Sequence, residues 1–176
     1  MKAARVRAAV AAAGLTALLG LHLGAAGAAG AASMTARALV VSDQARRYLR
    51  LAYGSYPTEF LGCMIGQVVG PVVFVQRIAP ADVESAHSTR TQVRPRQTCE
   101  EAGWPGTVGM IHSHPGGERR FYYFPGTEVA SSDAASFARQ PYPIDAIMCG
   151  DSIVWISRDH AQHQLSLHTA TGARGQ

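Results

Sequence analysis

Hydrophobic and polar positions change their period several times along this chain, and the changes divide it into short elements. Arg37 to Val41 reads as a short strand. Ala45, Tyr48, Leu49 and Ala52 then recur at helical spacing, with Ser42 or Asp43 placed to cap them and Gly54 and Pro57 closing the run. A helix to about Tyr53 with one buried face is predicted. Glu59 to Val69 and Pro71 to Ile78 are apolar stretches, the second β-branched, and read as two strands joined around Gly70-Pro71. Ala81 to Gln97 is polar and arginine-rich, an irregular or edge segment. Thr107 to Ile111 is a compact strand running into His112, and Gly116 to Val129 is a loop. Ser131 or Ser132 caps a second helix through about Arg139. Ile144 to Cys149, Ile153 to Ser157 and Gln164 to His168 are three closing strands, with turns at Gly150-Asp151 and Asp159-His160. Helices interleaved with strands indicate an α/β sandwich.

The chain has 176 residues, 47% hydrophobic and 16% charged, which fits a single globular domain over 34–168, followed by a loose tail over 169–176. What precedes it is different in kind. Lys2, Arg5 and Arg7 are followed by an uncharged run from Ala8 to Ala32 of 12 Ala, 5 Gly and 5 Leu with one each of Val, Thr and His. A positive start, an apolar centre around Leu15 to Leu23 and small residues at Ala26-Gly27-Ala28 and Ala29-Gly30-Ala31 are the layout of a cleavable export signal over 1–33. The strongly apolar part is shorter than the roughly 20 residues that a permanent membrane helix needs, so a membrane enters only if the leader stays uncleaved. A secreted or periplasmic protein is expected, or a cytoplasmic one if translation starts at Met34.

The formal net charge of +4 owes three of its charges to that leader; without them 13 arginines face 12 acids. A nearly neutral body gives no case for a nucleic-acid partner, which requires a basic excess gathered on one face. Cys63, Cys99 and Cys149 match no metal-ligand spacing and allow either one disulfide or three thiols. Cys63 and Cys149 lie in apolar runs and read as small buried residues.

The chemistry is concentrated in Gly109-Met110-Ile111-His112-Ser113-His114-Pro115. Residues two apart on a strand share a face, so His112 and His114 present two imidazoles side by side, and Pro115 takes the chain out of the sheet just after them. Asp133 opens the second helix, where a carboxylate is favoured and can serve as a third, hard ligand. Two imidazoles and one carboxylate form the donor set of a catalytic zinc with an open position. Glu59 stands ahead of an apolar strand. The remaining histidines, including His160 and His163 beside a turn, read as ordinary surface residues.

Glu59 with Gly62 and Gly66, then His112-Ser113-His114-Pro115, then Asp133, resembles the JAMM (MPN-plus) zinc metallopeptidases, from about Arg37 to Ser157. The resemblance implies a single-domain MPN, cytidine-deaminase-like fold: a mixed sheet flanked by helices. It implies one Zn2+ per chain on His112, His114 and Asp133, with Glu59 as general base for a metal-activated water. The reaction would be hydrolysis of a peptide or isopeptide bond in a protein or peptide substrate. Two features depart from the family. The serine normally three residues before the aspartate is Ala130 here, so the oxyanion role falls to Ser131, to Thr127 or to metal alone. The 18 residues between His114 and Asp133 are several more than usual and contain Arg119, Arg120, Phe121, Tyr122, Tyr123 and Phe124. Arg119, Phe121 and Tyr122 are candidates for gripping a substrate, or the insertion packs on its own domain. Other readings are a non-catalytic scaffold of the same fold, or hydrolysis of another bond such as a cell-wall peptide link. A deaminase lacks support because no P-C-x-x-C pair is present.

Overall fold

Ser42 sets the start of the first helix. Its Oγ accepts from the Ala45 N–H at 3.1 Å, satisfying one of the amides the helix leaves unpaired, and Asp43 adds a favourable charge in the first turn. The computed structural model describes residues 35–117 and 121–168; the leader over 1–33, the tail over 169–176 and Arg119 lie outside the described residues. Helix α1 (Asp43–Ser55) buries Ala45, Leu49 and Ala52, the face its spacing predicts. No helix among the described residues is long and apolar enough to cross a membrane.

The strands are β1 (Ala38–Val41), β2 (Leu61–Val69), β3 (Val72–Pro80), β4 (Thr107–Ser113), β5 (Ile144–Cys149), β6 (Ser152–Ser157) and β7 (Gln162–Ser166). Among the described residues they form one seven-stranded sheet in the order β1-β3-β2-β4-β5-β6-β7. β1 runs parallel to β3 and β4 parallel to β5, the other pairs being antiparallel, so the sheet is mixed and the architecture α/β. A parallel pair needs a long crossover, and between β4 and β5 that crossover is the segment that carries helix α2 (Ser132–Ala138) and Asp133.

Alternation along β5 separates two faces. Ala146 and Met148 pack in the cluster that includes Ala45, Leu49 and Ala52 of α1, whereas Ile147 and Cys149 pack with Ala134 and Phe137 of α2. The α2 side holds a second cluster around Cys63, Cys99, Met110 and Tyr142. β2 bulges between Ile65 and Gly66, where a Cβ would lie 1.8 Å from the Phe74 carbonyl oxygen, so only glycine fits.

Residues 81–97 are irregular as expected, with a 3-10 turn at Ser85–His87 and an isolated bridge between Val83 and Pro95. Cys63 departs from its expectation as a plain apolar residue: it is buried but disulfide-bonded to Cys99, while Cys149 is a buried thiol outside that disulfide. The last strand begins two residues earlier than its apolar pattern suggests. Its register is dictated by β6, with Ser152 opposite Ser166 and Ile156 opposite Gln162.

Candidate metal centre

On β4, Met110 and His112 face the α2 side and Ile111 and Ser113 the other, as strand alternation requires. Ser113 is buried and turned from the imidazoles. Its N–H donates to the Phe60 carbonyl at 3.1 Å and its Oγ accepts from the Phe60 N–H at 3.0 Å, which fastens the residue after Glu59 to the strand bearing the histidines. The Glu59 N–H donates to the Thr89 carbonyl at 2.7 Å, so the irregular segment also helps to aim Glu59. His114 lies one residue beyond β4, yet its N–H still reaches the Met148 carbonyl at 2.9 Å and its own carbonyl accepts from the Tyr53 hydroxyl at 2.7 Å. Neither Ser113 nor Tyr53 announces these roles in the sequence, because both act through backbone atoms of distant segments.

Asp133 follows from the cap of α2: Ser131 Oγ accepts from the Ala134 N–H at 3.3 Å and starts the helix, leaving Asp133 in its first turn. The ligand-type atoms of His112, His114 and Asp133 lie within 4.8 Å of one another. The two Nε2 atoms are 3.2 Å apart, and Asp133 Oδ1 is 3.6 Å from His112 Nε2. Two nitrogens on one tetrahedral zinc at roughly 2.0–2.1 Å would be separated by about 3.3 Å, so this donor set fits such an ion in both chemistry and spacing. Glu59 is 6% exposed, with Oε1 3.5 Å from His114 Nε2. The structure therefore brings all four together.

Burial holds the His112 imidazole at about 4, so at neutral pH the ring is uncharged and a nitrogen lone pair is available to a cation. Burial acts oppositely on Asp145, on β5 beside Met110, pushing its carboxyl up to about 7 against the hydrogen bond from Tyr122. These two groups have opposite effects on stability. His112 loses stability for the fold as pH falls from 6.5 toward 4, because the unfolded chain takes the proton first. Asp145 loses it as pH rises from 3.8 toward 7, because only the folded chain keeps the proton. Between pH 4 and 6.5 they nearly cancel. Denaturant titrations of the metal-free Asp145→Asn protein should uncover the His112 slope, stability rising by up to about 1.4 kcal/mol per pH unit across that window. An Asp145→Asn protein with the same pH profile as the unaltered chain would contradict this assignment.

A cleft of about 790 Å³ opens over the site, lined by Glu59, Leu61, Met110, His112, Asp133 and Asp145 as its floor and ligand side. Ser132 and Thr91 to Pro95 contribute to its walls. Ser131, expected to serve the oxyanion, is engaged as the α2 cap, whereas Ser132, beside Asp133, lines the cleft together with Thr91 and Ser136. Ser131→Ala should therefore cost about 1 kcal/mol of stability. Thr127 closes a turn, donating to the Phe124 carbonyl, and lines a different cavity. That cavity, of about 690 Å³, is formed by Phe121, Tyr123 and Phe124 with His160 and Gln162. Of the two expectations for Tyr122, the structure fits the packed insertion: the residue is fully buried, and the insertion at this point packs on its own domain. His163 stacks on Trp155 at 4.2 Å between ring centres, and the Tyr123 hydroxyl meets His160 Nδ1, so both histidines are held by aromatic neighbours.

Residues 41–121 match the family described as prokaryotic homologs of the JAB domain. The matched stretch takes in Glu59, His112 and His114 and stops short of Asp133. Among solved structures, the chain resembles the solution structure of the Desulfitobacterium hafniense protein DSY2949, with 18% identity over 74% of this chain and 90% of that one and a TM-score of 0.42. No curated protein matches.

Proposed function

We propose that this protein is a zinc-dependent metallopeptidase of the JAMM type, hydrolysing a peptide or isopeptide bond in a protein or peptide substrate. The observation that carries the reading is the convergence of a buried glutamate with two imidazoles and an aspartate at one point beside the cleft, which Glu59, His112 and Asp133 line. A divalent zinc ion on His112, His114 and Asp133 would supply an acidified water and a Lewis acid for the carbonyl. Everything else is the work of the chain. Glu59 accepts the proton of the attacking water and delivers it to the leaving amine, a role that suits a carboxylate beside the ligand set but outside it. The Ser132 hydroxyl, on the cleft wall next to Asp133, donates to the developing oxyanion. Ser132→Ala should lower kcat by about tenfold to a hundredfold with little change in thermal midpoint, the converse of Ser131→Ala.

The disulfide favours an oxidising compartment, which agrees with export through the apolar leader to the cell exterior or periplasm. The reading is tested by metal analysis of protein purified with zinc in the buffer, followed by mass spectrometry of a peptide library incubated with it. About one equivalent of zinc, lost in His114→Ala, together with peptide cleavage abolished by chelation, is expected. Retained zinc without cleavage of any peptide or isopeptide substrate would leave a scaffold of the same fold and remove the peptidase.

A further inference from the structure

The insertion that separates the histidines from the aspartate is 18 residues long, and a free loop of that length would hold Asp133 poorly. The structure shows what constrains it. Tyr122 sits inside the insertion at 0% exposure, and each of its polar groups is engaged. Its N–H donates to Gln162 Oε1 at 2.8 Å on β7, its carbonyl accepts from the Ser131 N–H at 2.8 Å, and its hydroxyl donates to Asp145 Oδ2 at 2.9 Å. Ser131 is the α2 cap, so Tyr122 is tied directly to the residue that starts the helix bearing Asp133.

The far end of that helix lies beside the same residue. Beyond the C-cap Arg139, the Gln140 side chain comes close enough to Asp145 to draw its carboxyl pKa down against burial. The Gln140 N–H returns to the Phe137 carbonyl at 3.0 Å, and Arg158 donates to the carbonyls of Phe137 and Gln140. A single buried carboxyl on β5, 2% exposed, thus accepts the hydrogen bond that anchors the chain before α2 through Tyr122, with Gln140 close by after the helix. Burying a carboxyl is costly, and a hydrogen bond from the residue tied to the α2 cap gives it a purpose that simple core packing would not.

We infer that Tyr122 and Asp145 are positioning residues for the metal centre: their buried hydrogen bond clamps the insertion to the sheet and sets α2, and with it Asp133, opposite the two imidazoles. The inference rests on the proposed zinc site but assigns a role to residues outside its three-ligand set. It also explains how an insertion longer than the resemblance leads one to expect is compatible with a tight three-ligand set.

The test compares zinc affinity, by competition with a chromophoric chelator, and amide hydrogen exchange of the metal-free proteins. Tyr122→Phe and Asp145→Ala should bind zinc about 10- to 100-fold more weakly than the unaltered chain. Asp145→Asn should stay within about threefold, because its carbonyl can still accept from Tyr122 and its amide can donate to Gln140 Oε1, a buried atom with no hydrogen-bond partner among the described residues. Val73→Ala, a cavity in β3 on the α1 side of the sheet, controls for general destabilisation: it should lower the thermal midpoint and leave zinc affinity alone. Amides from Ala134 to Phe137 should exchange faster in metal-free Tyr122→Phe than in Val73→Ala. Zinc affinity of Tyr122→Phe within threefold of the unaltered chain, or an equal loss in Val73→Ala, overturns the inference while leaving the peptidase reading intact. If the unaltered chain binds no zinc, the peptidase reading fails, and equal exchange rates at Ala134 to Phe137 in the two metal-free variants would overturn the clamp as well.

Discussion

Glu59→Gln should abolish turnover and leave the metal in place. Glutamine preserves the shape of the side chain and its hydrogen-bonding reach but cannot accept a proton at neutral pH, so general acid-base assistance worth about 10²–10⁴-fold disappears. The three-ligand set does not include Glu59, and its Oε1 is 3.5 Å from a ligand nitrogen, so zinc content should remain near one equivalent. His114→Ala provides the contrast, since it should lose metal and activity together. Metal analysis with initial rates on one cleaved peptide distinguishes the cases. Turnover within tenfold of the unaltered enzyme would remove Glu59 as base, and loss of zinc from Glu59→Gln would make it a ligand instead.

Removal of the Cys63–Cys99 disulfide should produce the largest loss of stability. The cross-link closes a loop of sequence separation 36, for which chain entropy in the unfolded state corresponds to about 4 kcal/mol. In a domain of this size that is a fall of roughly 10–15 °C in thermal midpoint. The enclosed segment includes Thr89, which accepts the Glu59 N–H, and Thr91 to Pro95, which wall the cleft, so the loss should not be confined to stability. The double variant Cys63→Ala/Cys99→Ala should show a raised KM even well below its melting temperature, as substrate meets a loosened wall. The Tyr142 hydroxyl, which accepts from the Cys99 N–H at 3.1 Å and donates to Glu100 at 2.6 Å, keeps the segment attached enough for the variant to fold. A midpoint within about 3 °C of the unaltered protein, or free thiols at Cys63 and Cys99 in protein secreted from cells, would refute the assignment.

Much of the sheet is legible from local pattern because each strand is short, apolar and bounded by a turn. The misplacement of β7 shows the limit of that reading. Gln162-His163-Gln164-Leu165-Ser166 is half exposed, and such a strand takes its register from its neighbour rather than from its own apolar residues. Tyr122 was ambiguous for a related reason. Four aromatics in a row between a strand and a helix suit a substrate grip or a packed insertion equally, and only the position of Asp145 beneath Tyr122 separates that residue from its neighbours in the other cavity. Cys63 carried no mark of a disulfide because its partner lies across an irregular segment with no pattern of its own.

Residue type and spacing on one strand were enough to place His112 and His114 on a common face, because alternation is a property of the extended backbone and needs no partner. The capping of α2 was likewise local, since a serine beside unpaired amides is read from a few adjacent residues. The meeting of Glu59 and Asp133 with those histidines was decided only by the tertiary structure. It depends on the antiparallel pairing of β2 with β4, on the parallel crossover to β5 and on the buried hydrogen bonds from Phe60 to Ser113 and from Tyr122 to Asp145, all of them contacts between segments far apart in the chain.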